Sequence, residues 1–153
     1  MPLAVSLIVC QLAGVFGSLA TLPAIPTWYA SLIKPELAPP NWVFGPVWTT
    51  LFVCMGVAAF LIWKKGTNKK EVRIALLAFA VQLALNVLWS VVFFGMQNLG
   101  AAFLEVVIFW LAILTTTALF WKLSRPAAYL MLPYLACVSF ASYLTYMLWQ
   151  LNG

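Results

Sequence analysis

Histidine is absent from this chain of 153 residues. That removes the commonest haem and zinc ligand and the usual general base at neutral pH. Charge is scarce as well: 7% of residues are charged, against roughly a quarter in soluble domains. Acid is scarcer still, three Glu and no Asp facing eight Lys and Arg, for a formal net charge of +5. In a soluble protein that balance would raise nucleic acid as a partner. Here the basic residues gather at the ends of apolar runs, where they orient a membrane protein, and no nucleic-acid role follows. The three cysteines, Cys10, Cys54 and Cys137, lie inside apolar runs, are odd in number and have no metal-type spacing. They are expected to be buried small hydrophobes, neither disulfides nor metal ligands. No phosphate loop and no nucleophile–base pair is present, so the residues name no catalytic group, no metal site and no required cofactor.

What remains is hydrocarbon. Hydrophobic residues make up 65% of the chain, more than the interior of a soluble fold of this size can hide. The solvent must be lipid. A helix needs about 20 residues to cross the hydrocarbon core, and five runs qualify, roughly 3–25, 43–63, 71–94, 100–122 and 127–150. An open strand edge cannot be satisfied in lipid, so the expected class is an all-α membrane protein: one domain over 1–153, a bundle of five transmembrane helices. The first run is long for a signal peptide and lacks a basic n-region, so it is kept as a span. Seven of the eight basic residues (Lys64, Lys65, Lys69, Lys70, Arg73, Lys122, Arg125) fall on one face and only Lys34 on the other. The positive-inside bias then puts the N-terminus inside, and the C-terminus and the long first connection, 26–42, outside.

That first connection, within "WYASLIKPELAPPNWVFGPVW", carries much of the aromatic mass. Trp28, Trp42, Trp48, Trp89 and Trp149 lie in the outer half, Trp110 mid-span, and Trp63 and Trp121 at helix ends on the basic face. An interfacial belt covers Trp63, Trp121 and Trp149. Trp48 and Trp89 lie deeper, roughly 8–10 Å inside their spans at the helical rise, and two readings are open for them: an internal cavity, or belt and plain packing. Gln82, Asn86, Trp89 and Phe93 form one helix stripe, and two amides on a lipid-facing stripe would be costly, so it should face inward. Ala80 and Ala84 on the opposite side make a small-xxx-small pair, either a dimer contact or ordinary packing. Gly14 and Gly17 suggest a close crossing or a thin cavity wall. Glu105 is the sole acid inside a span, open between a functional role and a structural hydrogen bond. Pro133 should bend the fifth span, which carries a stripe of Tyr134, Val138, Ala141 and Thr145 flanked by Cys137.

The segments "WYASLIKP", "PPNWVFGPVWTTLF", "QLALNVLWSVVFFG" and "LPYLACVSFASYL" resemble the TspO/MBR family (translocator protein, tryptophan-rich sensory protein, peripheral benzodiazepine receptor), in order and over nearly the whole chain. The resemblance implies a five-helix bundle, often a homodimer, with a ligand cavity capped by the first loop. It implies binding of tetrapyrroles such as protoporphyrin IX, of sterol-like lipids and of flat synthetic drugs, with receptor, sensor or transport roles and, for some members, porphyrin breakdown. Carried over, Trp48, Gln82, Asn86 and Trp89 are cavity positions, Glu105 stands where the family usually has Asp, and Ala141 is a small-residue position. The lid is residues 26–42, with Trp28, Tyr29, Leu32, Lys34, Pro35, Pro39, Pro40 and Trp42. Its prolines stiffen a backbone leaving helix geometry, and Asn41 is the expected N-cap of the second span. A flat apolar ligand wants such aromatic faces and little competing charge.

The chain also departs from the pattern. Cys137 replaces a second cavity tryptophan, Leu37 an aromatic of the lid, and Thr145 an Asn. The C-terminal sterol pattern lacks a Lys or Arg after Tyr146. Three functional readings follow: a membrane receptor or transporter for porphyrin-like ligands; an enzyme promoting light- or oxygen-dependent porphyrin breakdown, which the loss of tryptophan at Cys137 weighs against; and a structural membrane partner without ligand. With no targeting extension in view, a bacterial envelope is expected, or the mitochondrial outer membrane in a eukaryote.

Overall fold

Helix accounts for nearly all of the computed structural model, which describes residues 3–36 and 38–152 and, at Phe44, the backbone alone. The five helices are α1 (Leu3–Ala24), α2 (Phe44–Trp63), α3 (Lys70–Ser90), α4 (Leu99–Leu123) and α5 (Arg125–Asn152). With their flanking turns all five are long and apolar enough to cross a membrane, and no strand occurs among the described residues.

The first span is longer than its hydropathy suggests. A π-turn, Ile25–Tyr29, continues α1 through Pro23 and Pro26. A wide i→i+5 turn tolerates the missing proline N–H groups. Trp28 and Tyr29 therefore belong to a helix and not to the loop, and the lid begins near Leu32. A second π-turn, Val91–Gly95, extends α3 in the same way. Asn41 does not cap α2: it opens a 3₁₀ turn, Asn41–Val43, and the cap position, Val43, makes no side-chain cap bond. At the start of α4 Asn98 does cap, its side chain accepting from the Ala101 N–H at 3.0 Å. Pro133 is accommodated within an unbroken α5. Leu37 lies outside the described residues.

α4 packs between α3 and α5, while α1 lies against α2 and α3, and α2 reaches across to α5. The half of the bundle nearest the basic connections is solid, with Ala58, Ile62, Val72, Ala75, Phe120 and Ala127 sealed from solvent. α1 and α2 cross closely there. A Cβ on Gly56 would sit 2.8 Å from Leu7 Cδ2 and 3.0 Å from its Cα, and Ser6 Oγ donates to the Gly56 carbonyl at 2.6 Å. The other half is looser. From Asn41 to Thr50 no described side chain of the α2 segment is buried, whereas Leu51, Phe52 and Met55 just beyond are. That stretch packs only loosely, through half-buried Val47 and Trp48, and a cavity lies behind it.

Trp149, expected in the interfacial belt, is half-buried, stacked on Phe103 at 5.9 Å and lying over Gly100. Trp121 keeps its place at the basic end, 44% exposed with the Arg125 guanidinium 5.0 Å from its ring. Ala80 and Ala84 lie on the outward face of α3, both exposed. Of the cysteines, Cys10 is buried, Cys54 and Cys137 are partly so, and all three are free thiols.

Candidate functional site

The stripe on α3 turns inward as its amides require. Gln82 is fully buried and Asn86 nearly so, while Phe93 is closed off at the far end. Both amides find a partner on α5. The Tyr134 hydroxyl accepts from Asn86 Nδ2 at 2.8 Å and donates to Gln82 Oε1 at 2.7 Å. Gln82 Nε2 spends a further donor on Met55 Sδ, at 3.8 Å. This network is a plug of polar atoms in an apolar bundle. The Tyr134 ring is held edge-on by Trp48 at 6.2 Å and by Phe109 at 6.0 Å.

Above the plug the helices part around a cavity of about 690 Å³. Trp48 and Phe52 line it from α2, Asn86, Trp89 and Phe93 from α3, and Cys137, Ala141 and Leu144 from α5. α1 contributes Gly14, Gly17, Ser18 and Thr21, and α4 reaches it only through Phe109. A Cβ on Gly14 would come within 2.9 Å of the Phe52 ring, so the thin α1 wall is what lets that ring lie where it does. Trp89 stacks on Phe93 at 4.8 Å and 20°, which makes one continuous aromatic face. No charged side chain is among the described lining residues.

Trp48, Asn86, Trp89, Cys137 and Ala141 thus line one cavity. Two expected members do not. Gln82 lies one turn below the cavity floor, consumed by Tyr134 and Met55. Glu105 is buried on α4 behind the wall, because α4 is screened from the cavity by α3 and α5. Neither of its carboxyl oxygens has a hydrogen-bond partner among the described residues, and the same holds for the Trp89 indole N–H. Residues that single motifs did not flag also contribute: Phe52 and Phe109 look like core positions in any apolar helix, and only the glycine opposite Phe52 hinted at its role.

At the mouth, Tyr29 and Pro39 line the cavity. Trp28 meets Phe93 edge-on at 5.5 Å, and Tyr29 tilts against Phe94 at 5.8 Å. Leu32 packs into the same cluster. Pro35 accepts from the Ala38 N–H, and Pro40 from the Val43 N–H, each at 3.1 Å, so the lid is a pair of turns. Lys34 is half-buried, its ammonium 4.7 Å from the centre of the Tyr29 ring. Trp42 faces away, 75% exposed. An unanticipated clasp pins the lid to the end of α5: Asn152 Oδ1 accepts from the Ile33 N–H and Asn152 Nδ2 donates to the Ile33 carbonyl, both at 2.8 Å.

The cavity is not sealed sideways. Val15 and Leu22 on α1, Gly45 and Thr49 on α2, and Ala136 and Phe140 on α5 line it and are exposed as well. It is open on both sides of the outer part of α2. Among the described residues no cluster of metal-binding side chains occurs. The described lining is mostly apolar and aromatic, with a few neutral polar groups.

Comparison with known proteins agrees with this architecture. A sequence model of the TspO/MBR family matches residues 6–150. The chain is 42% identical over 152 residues to the tryptophan-rich protein TspO of Chlorobaculum tepidum, covering 99% of this chain and 96% of that one. It is 44% identical over 127 residues to the translocator protein of Ovis aries, covering 82% and 75% respectively. With the tryptophan-rich sensory protein of Cereibacter sphaeroides it shares 37% identity over 126 residues, covering 82% and 77%.

Proposed function

Because the chain belongs to the TspO/MBR family, we propose that this multi-pass membrane protein is a receptor or transporter whose cavity binds porphyrins of the protoporphyrin IX kind and other flat apolar molecules, sterol-like ones included. The observation that carries this reading is the pairing of a cavity of about 690 Å³ with an aromatic wall of Trp48, Phe52, Trp89 and Phe93. That volume lies within the range of small-molecule sites. The lone polar group on the floor, Asn86, and the hydroxyls of Ser18 and Thr145 can orient a ligand without demanding a charge. No cofactor is required. The basic end, with seven cations, faces the inside, so the lid and the C-terminus face outside. The exposed Ala80 and Ala84 give a homodimer a close-packing surface. The membrane is that of a bacterial envelope, or the mitochondrial outer membrane if the source is eukaryotic.

The test is titration of purified protein with protoporphyrin IX, followed by tryptophan quenching, in the parent and in Trp48→Phe, Trp89→Phe and Trp121→Phe. Saturable quenching is expected. Trp48→Phe and Trp89→Phe should weaken affinity by about 2–10-fold, the worth of a good aromatic contact, and Trp121→Phe should not. Absence of saturation in every form would leave a structural membrane protein. Loss of the porphyrin absorption band under light, abolished by Trp48→Phe, would replace binding by breakdown.

A further inference from the structure

The cavity has an asymmetry of charge that bears on what it selects. No cation or acid is found among its described lining residues. Seven of the eight basic side chains sit at the opposite end of the bundle. The eighth, Lys34, is on the lid and outside the lining itself, half-buried over the ring of Tyr29, which is a lining residue. Its ammonium makes one long hydrogen bond, to the Leu32 carbonyl at 3.4 Å, and among the described residues no carboxyl group pairs with it. An ammonium carries three donors, so Lys34 holds unspent donors beside an aromatic rim.

We propose that Lys34 is the specificity-determining residue for carboxylate-bearing rings: it receives a ligand's carboxylate at the lid while the apolar body lies against Trp48, Trp89 and Phe93. This rests on the cavity-binding reading above and adds the orientation and class of ligand. A molecule with acid groups at one edge and an apolar remainder fits, edge toward the lid. One with charge at both ends does not, because the floor offers only the Asn86 amide, and the acid behind the wall, Glu105, supplies no positive partner. Tyr29 fixes the ammonium by cation–π contact, so the cation is in place before the ligand arrives.

The experiment compares protoporphyrin IX, a diacid, with its dimethyl ester, which has the same ring and no charge. Affinities are measured by tryptophan quenching in nanodiscs of uncharged lipid for the parent, Lys34→Met and Lys34→Arg. Lys34→Met keeps the apolar stem over Tyr29. It should weaken the diacid by about tenfold, the lower range for a hydrogen bond to a charged group, and leave the ester unchanged; Lys34→Arg should restore the diacid. Added salt should weaken the diacid alone. If both rings saturate and Lys34→Met leaves their affinity ratio as it was, the assignment is wrong while the cavity reading stands. If neither ring saturates, both fall together.

Discussion

Deleting a single oxygen from beneath the cavity, by Tyr134→Phe, tests whether the polar plug holds the bundle together. The ring is retained, so its edge contacts with Trp48 and Phe109 remain. What goes is the one atom that accepts from Asn86 and donates to Gln82. Side-chain hydrogen bonds inside membrane proteins average about 0.6 kcal/mol and reach about 1.7, so the pair is worth about 1–3 kcal/mol. The structure places the value inside that range. Asn86 borders the cavity and can turn its freed N–H toward it. Gln82 has no such escape: it is completely buried, with only the soft Met55 sulfur at 3.8 Å for company. The expectation is therefore about 2 kcal/mol, mostly from the stranded Gln82 oxygen. Reversible unfolding in mixed micelles measures it. Gln82→Leu in the same background removes the orphan, so the double variant should be more stable than the sum of the single changes implies. A Tyr134→Phe protein as stable as the parent, or strict additivity with Gln82→Leu, would refute the claim that these bonds anchor α3 to α5.

Two further outcomes follow from close contacts. Gly56→Val must push α1 off α2, because Leu7 backbone and side chain occupy the space; a loss of about 1–3 kcal/mol is expected by thermal unfolding, while Gly45→Ala, with nothing within 4 Å of its added Cβ, should be close to neutral. Asn152→Ala removes both hydrogen bonds to Ile33; amide exchange at Ile33 should quicken by about tenfold with the helices' protection unchanged, and equal exchange would show that the lid is held by its aromatic packing alone.

How far the sequence discloses this arrangement depends on the range of the interaction concerned. The five spans and the inward stripe on α3 are legible because hydropathy and helical periodicity are local properties. The cavity that Trp48 and Trp89 share joins two helices, and the sequence leaves that pair open between cavity and belt. The ends of elements are also less legible. Pro26 looks like a helix terminator, and only the neighbouring rings of Phe93 and Phe94 against Trp28 and Tyr29 show why the chain winds on through a π-turn. Glu105 and Gln82 are polar residues in apolar helices, and such residues are expected in the cavity. Which polar group reaches the cavity and which is taken up behind the wall is decided by a partner far along the chain, Tyr134 for Gln82. The Asn152 clasp joins positions 119 residues apart and leaves no pattern near either one.

The cavity itself poses an energetic question whose answer bears on binding. A dry void of about 690 Å³ would cost on the order of 15 kcal/mol at the slope found for protein interiors, as much as the whole stability of an ordinary domain. The bundle therefore does not hold it empty. Exposed lining residues on both sides of α2, Val15 and Leu22 against Ala136 and Phe140, open it sideways, and in a bilayer lipid tails are the apolar filler at hand. On the proposed reading, binding then exchanges one apolar occupant for another, and burial of apolar area contributes little to it. What separates a flat ring from a lipid tail is stacking on Trp48 and on the Trp89–Phe93 face, and the smaller conformational entropy a rigid ring has to lose. On the reading proposed above, selectivity in such a site comes from the aromatic walls together with the Asn86 amide on its floor and the Lys34 ammonium on its lid.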